Sequence, residues 1–375
     1  MNQQEIISAL ALSRVSNLSL AAMLDLYQCV GSASEVISHA GHIRDLLPDA
    51  SEKLVAAFSD LSEPMRRAEA EYAEDMALGI EPLVFGDDRY PQRLRECPDA
   101  PLVLFYKGTA DLNQLRVVSM VGTRHATAYG QDLIRRFMAE LRQLCPQVLI
   151  VSGLAYGVDI CAHREALRQG YETVGVLAHG LDDLYPPRHR QTADEMLQRG
   201  GLLTEYMTQA HIDKTNFVRR NRIVAGVADA TILVESAAHG GGLITTRIAR
   251  EYNRDVFAFP GAVGAPYSEG CNNLIRDNGA ALISSASDFV AAMGWQTDAQ
   301  LTEAQDRGIE RQLFPELTAE EQQVVSVLQR QNDLQQNIIA VQAGIAVGRL
   351  SAILFSLEMK GVVRTMAGGY YHLLG

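Results

Sequence analysis

The sequence predicts an α/β protein: an extended Rossmann-type parallel sheet domain, preceded by a small helical domain and followed by a winged-helix domain. Three patterns lead to that expectation. Between about 78 and 292, short apolar, β-branched runs alternate with amphipathic helical stretches, as in a parallel sheet covered on both faces. Before this region, apolar residues recur only at helical spacing. After it, three helical stretches lead into a terminal hairpin pattern. With 375 residues, 47% of them hydrophobic, the chain is long enough for more than one core.

In residues 1–77, Leu10, Leu12, Leu18, Leu20, Met23, Leu24, Leu26 and Tyr27 recur at helical spacings, and Val30-Gly31-Ser32 marks a break. The pattern is that of a SAM-like or helix-hairpin-helix-like domain. Up to residue 76 it holds five basic and twelve acidic side chains, which favours a structural or protein-contact role over nucleic acid. In residues 78–292, strands are expected at Val117–Val121, Val148–Ser152, Thr173–Leu177, Leu202–Glu205, Thr231–Glu235 and Asp255–Phe259. Helices are expected at Thr127–Leu144, Asp159–Gln169, Arg190–Gln198, Phe217–Val227 and Leu243–Tyr252. In such a sheet, ligands lie at the carboxyl ends of the strands, where loops meet helix N-termini. Residues 293–316 are polar and read as a linker. Residues 317–375 read as helices at Glu320–Arg330, Leu334–Val341 and Val347–Lys360, then a hairpin around Ala367-Gly368-Gly369. The third of these helices carries only Arg349 and Lys360 as cations, against Glu358, so protein contact is favoured over DNA reading.

The formal charge is −12, from 33 basic and 45 acidic residues, and at first sight it disfavours nucleic acid. It is unevenly spread. Between residues 210 and 225, Lys214, Arg219, Arg220 and Arg222 face a single acid, Asp213, and Phe217 lies among them. Cations with an interleaved ring suit a phosphate backbone carrying unstacked bases; the alternative is a core phenylalanine with surface-paired arginines. No apolar run is long enough to span a membrane, and the N-terminus shows no secretory signal. The scattered Cys29, Cys97, Cys145, Cys161 and Cys271 suggest reduced thiols in a cytoplasmic protein and no zinc site.

Three strand-to-helix loops are rich in small residues. Val121-Gly122-Thr123-Arg124-His125 brings a guanidinium to a helix start. Ser152-Gly153 opens the next loop, with Asp159 expected as an N-cap and His163 as a helix-surface or core contact. Gly240-Gly241-Gly242 precedes a third helix, and three glycines there suggest close approach of a ligand to backbone. Neither a GxGxxG fingerprint nor a GxxxxGK[ST] loop is present.

These stretches, together with GLDDLYPPRHR at 180–190, GGLLTEY at 200–206, NFVRRNRIVAGVADATILVES at 216–236 and GCNNLI at 270–275, are similar to the DprA/Smf family of DNA-processing proteins. The resemblance covers about 200 consecutive residues of the central domain. It implies a protein of natural transformation that binds single-stranded DNA without sequence preference. It further implies delivery of that strand to the recombinase RecA, displacement of single-strand-binding protein, and a homodimer formed through the Rossmann domain. Neither enzymatic activity, nor a cofactor, nor a membrane is implied. The family's phosphate-contacting arginine falls on Arg124, its pocket lysine and stacking phenylalanine on Lys214 and Phe217, and its RNR arginine nearest the pocket on Arg222. With the loops, the candidate DNA-binding set is Gly122, Thr123, Arg124, Ser152, Gly153, Lys214, Phe217, Arg219, Arg220, Arg222, Gly240, Gly241 and Gly242. The chain departs from the family at Met207-Thr208-Gln209, at Val218 and at Ala238-His239. A nucleoside-monophosphate phosphoribohydrolase-like enzyme is the alternative reading. It is disfavoured because Arg247 stands where that family's catalytic glutamate is expected.

Overall fold

The computed structural model describes residues 1–297, 317–332, 334–360, 362–366 and 370–373. It divides into two units, Met1–Thr297 and Asp298–Gly375. The first begins with six helices: α1 (Gln3–Leu12), α2 (Leu20–Val30), α3 (Ala33–Ser38), α4 (Ile43–Leu46), α5 (Glu52–Ser59) and α6 (Ser62–Leu78). Asn2, Ser19, Ser32 and Ser51 cap α1, α2, α3 and α5 by accepting backbone N–H bonds. At the break read from Val30-Gly31-Ser32, Gly31 closes α2 in the left-handed conformation (φ 81°) and Ser32 caps α3.

The sheet unit continues with β1 (Glu81–Val84), α7 (Gln92–Arg95), β2 (Val103–Gly108), β3 (Val117–Val121), α8 (Ala128–Leu144), β4 (Leu149–Ser152), α9 (Val158–Gln169), β5 (Thr173–Val176), α10 (Arg190–Gln198) and β6 (Gly200–Thr204). Then follow α11 (Lys214–Gly226), β7 (Ala230–Leu233), α12 (Gly241–Glu251), β8 (Asp255–Ala258), α13 (Glu269–Arg276), β9 (Ala281–Leu282) and α14 (Ala286–Ala292). The strand order is β1-β2-β6-β5-β4-β3-β7-β8-β9. From β6 to β9 the pairings are parallel, whereas β1 and β2 join antiparallel at one edge. All six expected strands and five expected helices are present. β1, β2 and β9 are additions: β1 contains Pro82, and β9 is two exposed residues long, so neither carries a clear apolar period.

After β3 the chain progresses to one side through β4, β5 and β6, then returns to place β7 on the other side of β3. This reversal opens a crevice at the carboxyl ends of β3 and β7, the usual ligand position in an open α/β sheet. One face of the sheet packs on Phe137, Met138 and Leu141 of α8 and on Phe289 of α14. The other shares a continuous apolar cluster with the N-terminal helices, from Leu10, Leu26 and Phe58 to Tyr90, Leu104 and Leu203. The position expected as a boundary, 77/78, thus separates elements within one core. Trp295 packs edge-on against Phe289 at 5.2 Å and lies beneath the Arg116 guanidinium at 5.3 Å. The sheet unit therefore runs on to Thr297, into the stretch read as linker; residues 298–316 of that stretch lie outside the described residues.

The second unit contains α15 (Ala319–Arg330), β10 (Leu334–Gln335), α16 (Gln336–Ala343), α17 (Val347–Met359), β11 (Val363–Met366) and β12 (Tyr370–Leu373), with β12 between β10 and β11. The second helix starts two residues later than expected because Leu334 and Gln335 pair with Tyr371 and Tyr370. The expected turn at Ala367-Gly368-Gly369 lies outside the described residues. Among the described residues no single helix is long and apolar enough to cross a membrane.

Candidate functional site

The loops after β3, β4 and β7 converge with α11 around a cleft of about 450 Å³. The loop after β3 is fixed from both sides: Thr123 N–H donates to the Glu235 carbonyl (2.8 Å), and the Thr123 carbonyl accepts from Val158 N–H (3.1 Å). Gly122 has no room for a side chain, since a Cβ would stand 2.6 Å from Val158 Cγ2 and 2.8 Å from the Glu235 carbonyl. Glu235 is buried, and its carboxylate accepts from Thr127 N–H (2.8 Å) and Thr127 Oγ1 (2.6 Å), fastening the start of α8 to the end of β7. These bonds leave Arg124 exposed at the mouth of the cleft.

Phe217 stands opposite. It is half-buried, with the Arg124 guanidinium 5.7 Å from its ring centre. The ring of Tyr185, itself 44% exposed, meets it edge-on at 5.8 Å. Phe217 is thus held on the surface between a cation and a second ring rather than buried in the core. On another part of the rim, His125 and Tyr267 stack at 6.1 Å. The third loop supplies the N-terminus of α12, where Gly240 is the N-cap. The first N–H groups of a helix have no intrahelical acceptor and favour an anion. Of the three glycines, Gly240 and Gly242 are crowded by Ser236 and Leu233, but a Cβ on Gly241 would meet nothing within 4 Å.

The cationic segment is divided by the fold. Arg220 is 3% exposed, and its Nη1 donates to the carbonyls of Gly153 (2.5 Å) and Val176. Burial draws its pKa down and pushes that of Asp159 up, and the attraction between the two charges opposes both shifts. Arg220 is therefore part of the cleft floor, not the free phosphate contact expected. Ser152 is also corrected: it is fully buried and donates to the Met120 carbonyl at 2.6 Å, away from the cleft lining. Arg222 is ion-paired with Glu205 and, at 3.8 Å, Asp99, and with the exposed Arg219 it lines a different cavity. Lys214 is exposed at the first position of α11, one turn before Phe217, and lies outside the cleft lining. Gly122, Thr123, Arg124, Gly153, Phe217, Arg220, Gly240, Gly241 and Gly242 are the expected residues that the cleft brings together.

Asp159 is not the N-cap of α9; Gly157 is, at a positive φ (80°) where a Cβ would meet the Thr123 carbonyl at 2.2 Å. His163 is buried, bonded to Thr173 Oγ1 at 2.7 Å, and held neutral by burial, which pushes its pKa down to about 3. Arg247 lies exposed on α12, paired with Glu251 at 3.7 Å. Among the described residues no group of His, Cys, Asp and Glu is placed to hold a metal ion. The sequence reading missed Tyr185, Tyr267 and Asn221. Tyr185 had a usable signal, a tyrosine before two prolines in the loop that follows β5.

Residues 81–294 match the model of the family described as DNA recombination-mediator protein A, and residues 310–369 match the DprA winged helix domain. The chain is 33% identical over 314 residues to Protein Smf of Synechocystis, covering 76% of this chain and 78% of that protein. It is 32% identical over 382 residues to a putative DNA processing protein DprA of Mycobacterium tuberculosis, covering 95% and 92%. The X-ray structure of DprA from Streptococcus pneumoniae superposes with a TM-score of 0.65 at 31% identity, covering 78% of this chain and 98% of that one. A Helicobacter pylori DprA structure, described for its single-stranded DNA binding mode, gives 0.52 at 27% identity, covering 57% and 95%. The family model matched across the whole sheet domain, and relatives matched along most of their length, identify the chain as a member of the DNA recombination-mediator protein A, or DprA/Smf, family.

Proposed function

We propose that this cleft binds single-stranded DNA without sequence preference, and that the chain is a recombination mediator of natural transformation. The observation that carries the reading is Phe217, presented half-exposed between Arg124 and Tyr185 beside the open N-terminus of α12. A ring accepts the flat face of any base, while Arg124 and helix N–H groups take phosphate oxygens. These are holding groups, and the protein acts by binding rather than by catalysis. Family membership and the single-stranded DNA binding of the Helicobacter pylori relative support the same reading. On this reading the chain is cytoplasmic, dimerises through the Rossmann domain, displaces single-strand-binding protein and passes the strand to RecA.

Fluorescence anisotropy with labelled oligothymidine tests the site. Phe217→Ala should weaken binding by about 1–3 kcal/mol, one stacked base. Arg124→Ala should weaken it and reduce the slope of log K against log salt by about 0.7, one phosphate contact. Undiminished affinity in both variants would sink the assignment.

A further inference from the structure

Helix α11 has two working faces. Phe217, Asn221 and Val224 line the cleft already described, whereas Arg219 and Arg222 line a second cavity of about 630 Å³. Successive helical residues turn by about 100°, so Arg219 stands nearly opposite Phe217 across the helix axis. The second cavity lies between the N-terminal helices and the sheet. Its apolar wall comes from Leu18, Leu20 and Met23 on one side and Leu102, Phe105 and Met207 on the other. Arg14 and Arg219 are exposed there, and neither has a carboxylate partner among the described residues. The acids present are engaged: Glu205 and Asp99 hold Arg222, and Asp99 also accepts from Tyr252. Glu205 Oε1, Tyr206 Oη and Arg222 Nη1 have no protein partner.

We propose that this cavity is a second subsite for the same strand, taking one unstacked base on its apolar wall and a phosphate on Arg14 and Arg219. The proposal rests on the single-strand reading of the first cleft. Two observations favour a nucleic-acid strand as the occupant. Among the described residues neither Arg14 nor Arg219 forms an ion pair, so although Glu205 and Asp213 lie within the field of Arg219, both guanidinium groups keep their donors for a polyanion. The two cavities also lie on either side of α11, with Val218, 48% exposed at the rim of the first, between Phe217 and Arg219. A strand leaving the Phe217 platform crosses an apolar crest and reaches a second cationic, apolar recess. The N-terminal helical part, acidic overall, would then contribute Arg14 directly to binding.

The full chain is titrated with labelled oligothymidines of about 6 and about 20 nucleotides, one too short and one long enough for both recesses. The Arg14→Ala/Arg219→Ala double variant should lose about tenfold in affinity for the long oligomer and less than about twofold for the short one. The corresponding double lysine variant should recover most of the loss. An equal loss at both lengths, or none at either, overturns the proposal. Arg124→Ala weakens both oligomers and so reports on the first cleft separately; a wild-type chain that binds neither oligomer overturns both readings. A long oligomer carrying 5-iododeoxyuridine should cross-link to the peptide containing Tyr206 and Met207, and its absence at saturation counts against the subsite. DNA binding unaffected by the double variant, with loss of binding to an aspartate-rich peptide, assigns the cavity to a protein partner and overturns the proposal.

Discussion

Asp75 is fully buried on α6, and neither of its carboxylate oxygens has a hydrogen-bond partner. Around it, Glu71 accepts from Thr208 N–H (2.6 Å) and Oγ1 (2.7 Å), Glu74 accepts from the side chains of Thr208 and Gln209, and Arg67 pairs with Glu71 at 2.6 Å. Asp182 holds Gln209 N–H at 2.9 Å. Burial first, then the charges of Glu71 and Glu74, push the Asp75 pKa up from 3.8 to about 8. The folded state therefore binds this proton more tightly than the unfolded chain, and stability falls as pH rises from about 4 to about 8, with the full cost present above that. Asp75→Asn should raise the thermal midpoint at a pH near 9 and change it little near pH 4. A loss at the higher pH, or an equal gain at both, contradicts this account. The same clasp fixes Thr208 and Gln209, in the segment read from sequence as a departure from the family pattern, on the path into α11.

At the scale of the element, the glycine loops separate packing from ligand approach. A Cβ on Gly153 would lie 2.5–2.7 Å from the buried Arg220 guanidinium, which is itself fixed by two carbonyls. Gly153→Ala should cost about 1–3 kcal/mol of folding stability, the usual range for overpacking, read by denaturant titration. Gly241 begins α12 in open space at the cleft, so alanine there leaves the fold intact and improves helix propensity. Gly241→Ala should keep or raise the thermal midpoint yet weaken oligothymidine binding several-fold, because on the proposed reading the methyl group would stand where a phosphate meets the helix N-terminus. Full affinity in this variant would show that the strand does not approach α12. Helix α17 carries paired cations and exposed apolar side chains. Arg349 is paired with Glu320 (2.8 Å) and Lys360 with Glu321 (2.7 Å), while Phe355 and Met359 are exposed.

At the scale of the molecule, every residue assigned to either cavity belongs to the unit Met1–Thr297. A chain ending at Thr297 should keep the oligothymidine affinity of the full chain within about twofold, against the contribution of one stacked base. A larger loss would give the winged-helix unit a share in the strand. Most of the sheet unit was legible because continuous apolar strands alternating with amphipathic helices admit few other arrangements. The short edge strands β1 and β9 were not, because pairing rather than an apolar run defines them, whereas β2 was missed although its Val103–Tyr106 run is apolar and buried between β1 and β6. Within the site, the three loops, Arg124 and Phe217 were legible from residue type and position at strand ends. What the linear segment could not show was the direction of each cation. Lys214, Arg219, Arg220 and Arg222 read as one strip of charge, yet a helical turn sends them to solvent, to a second cavity, to the cleft floor and to an ion pair. The sequence by itself determined the sheet, the loops at its carboxyl edge and the family. Only the tertiary structure decided which charges are free to meet a ligand, because that depends on the carbonyls and carboxylates brought within hydrogen-bond reach from distant segments.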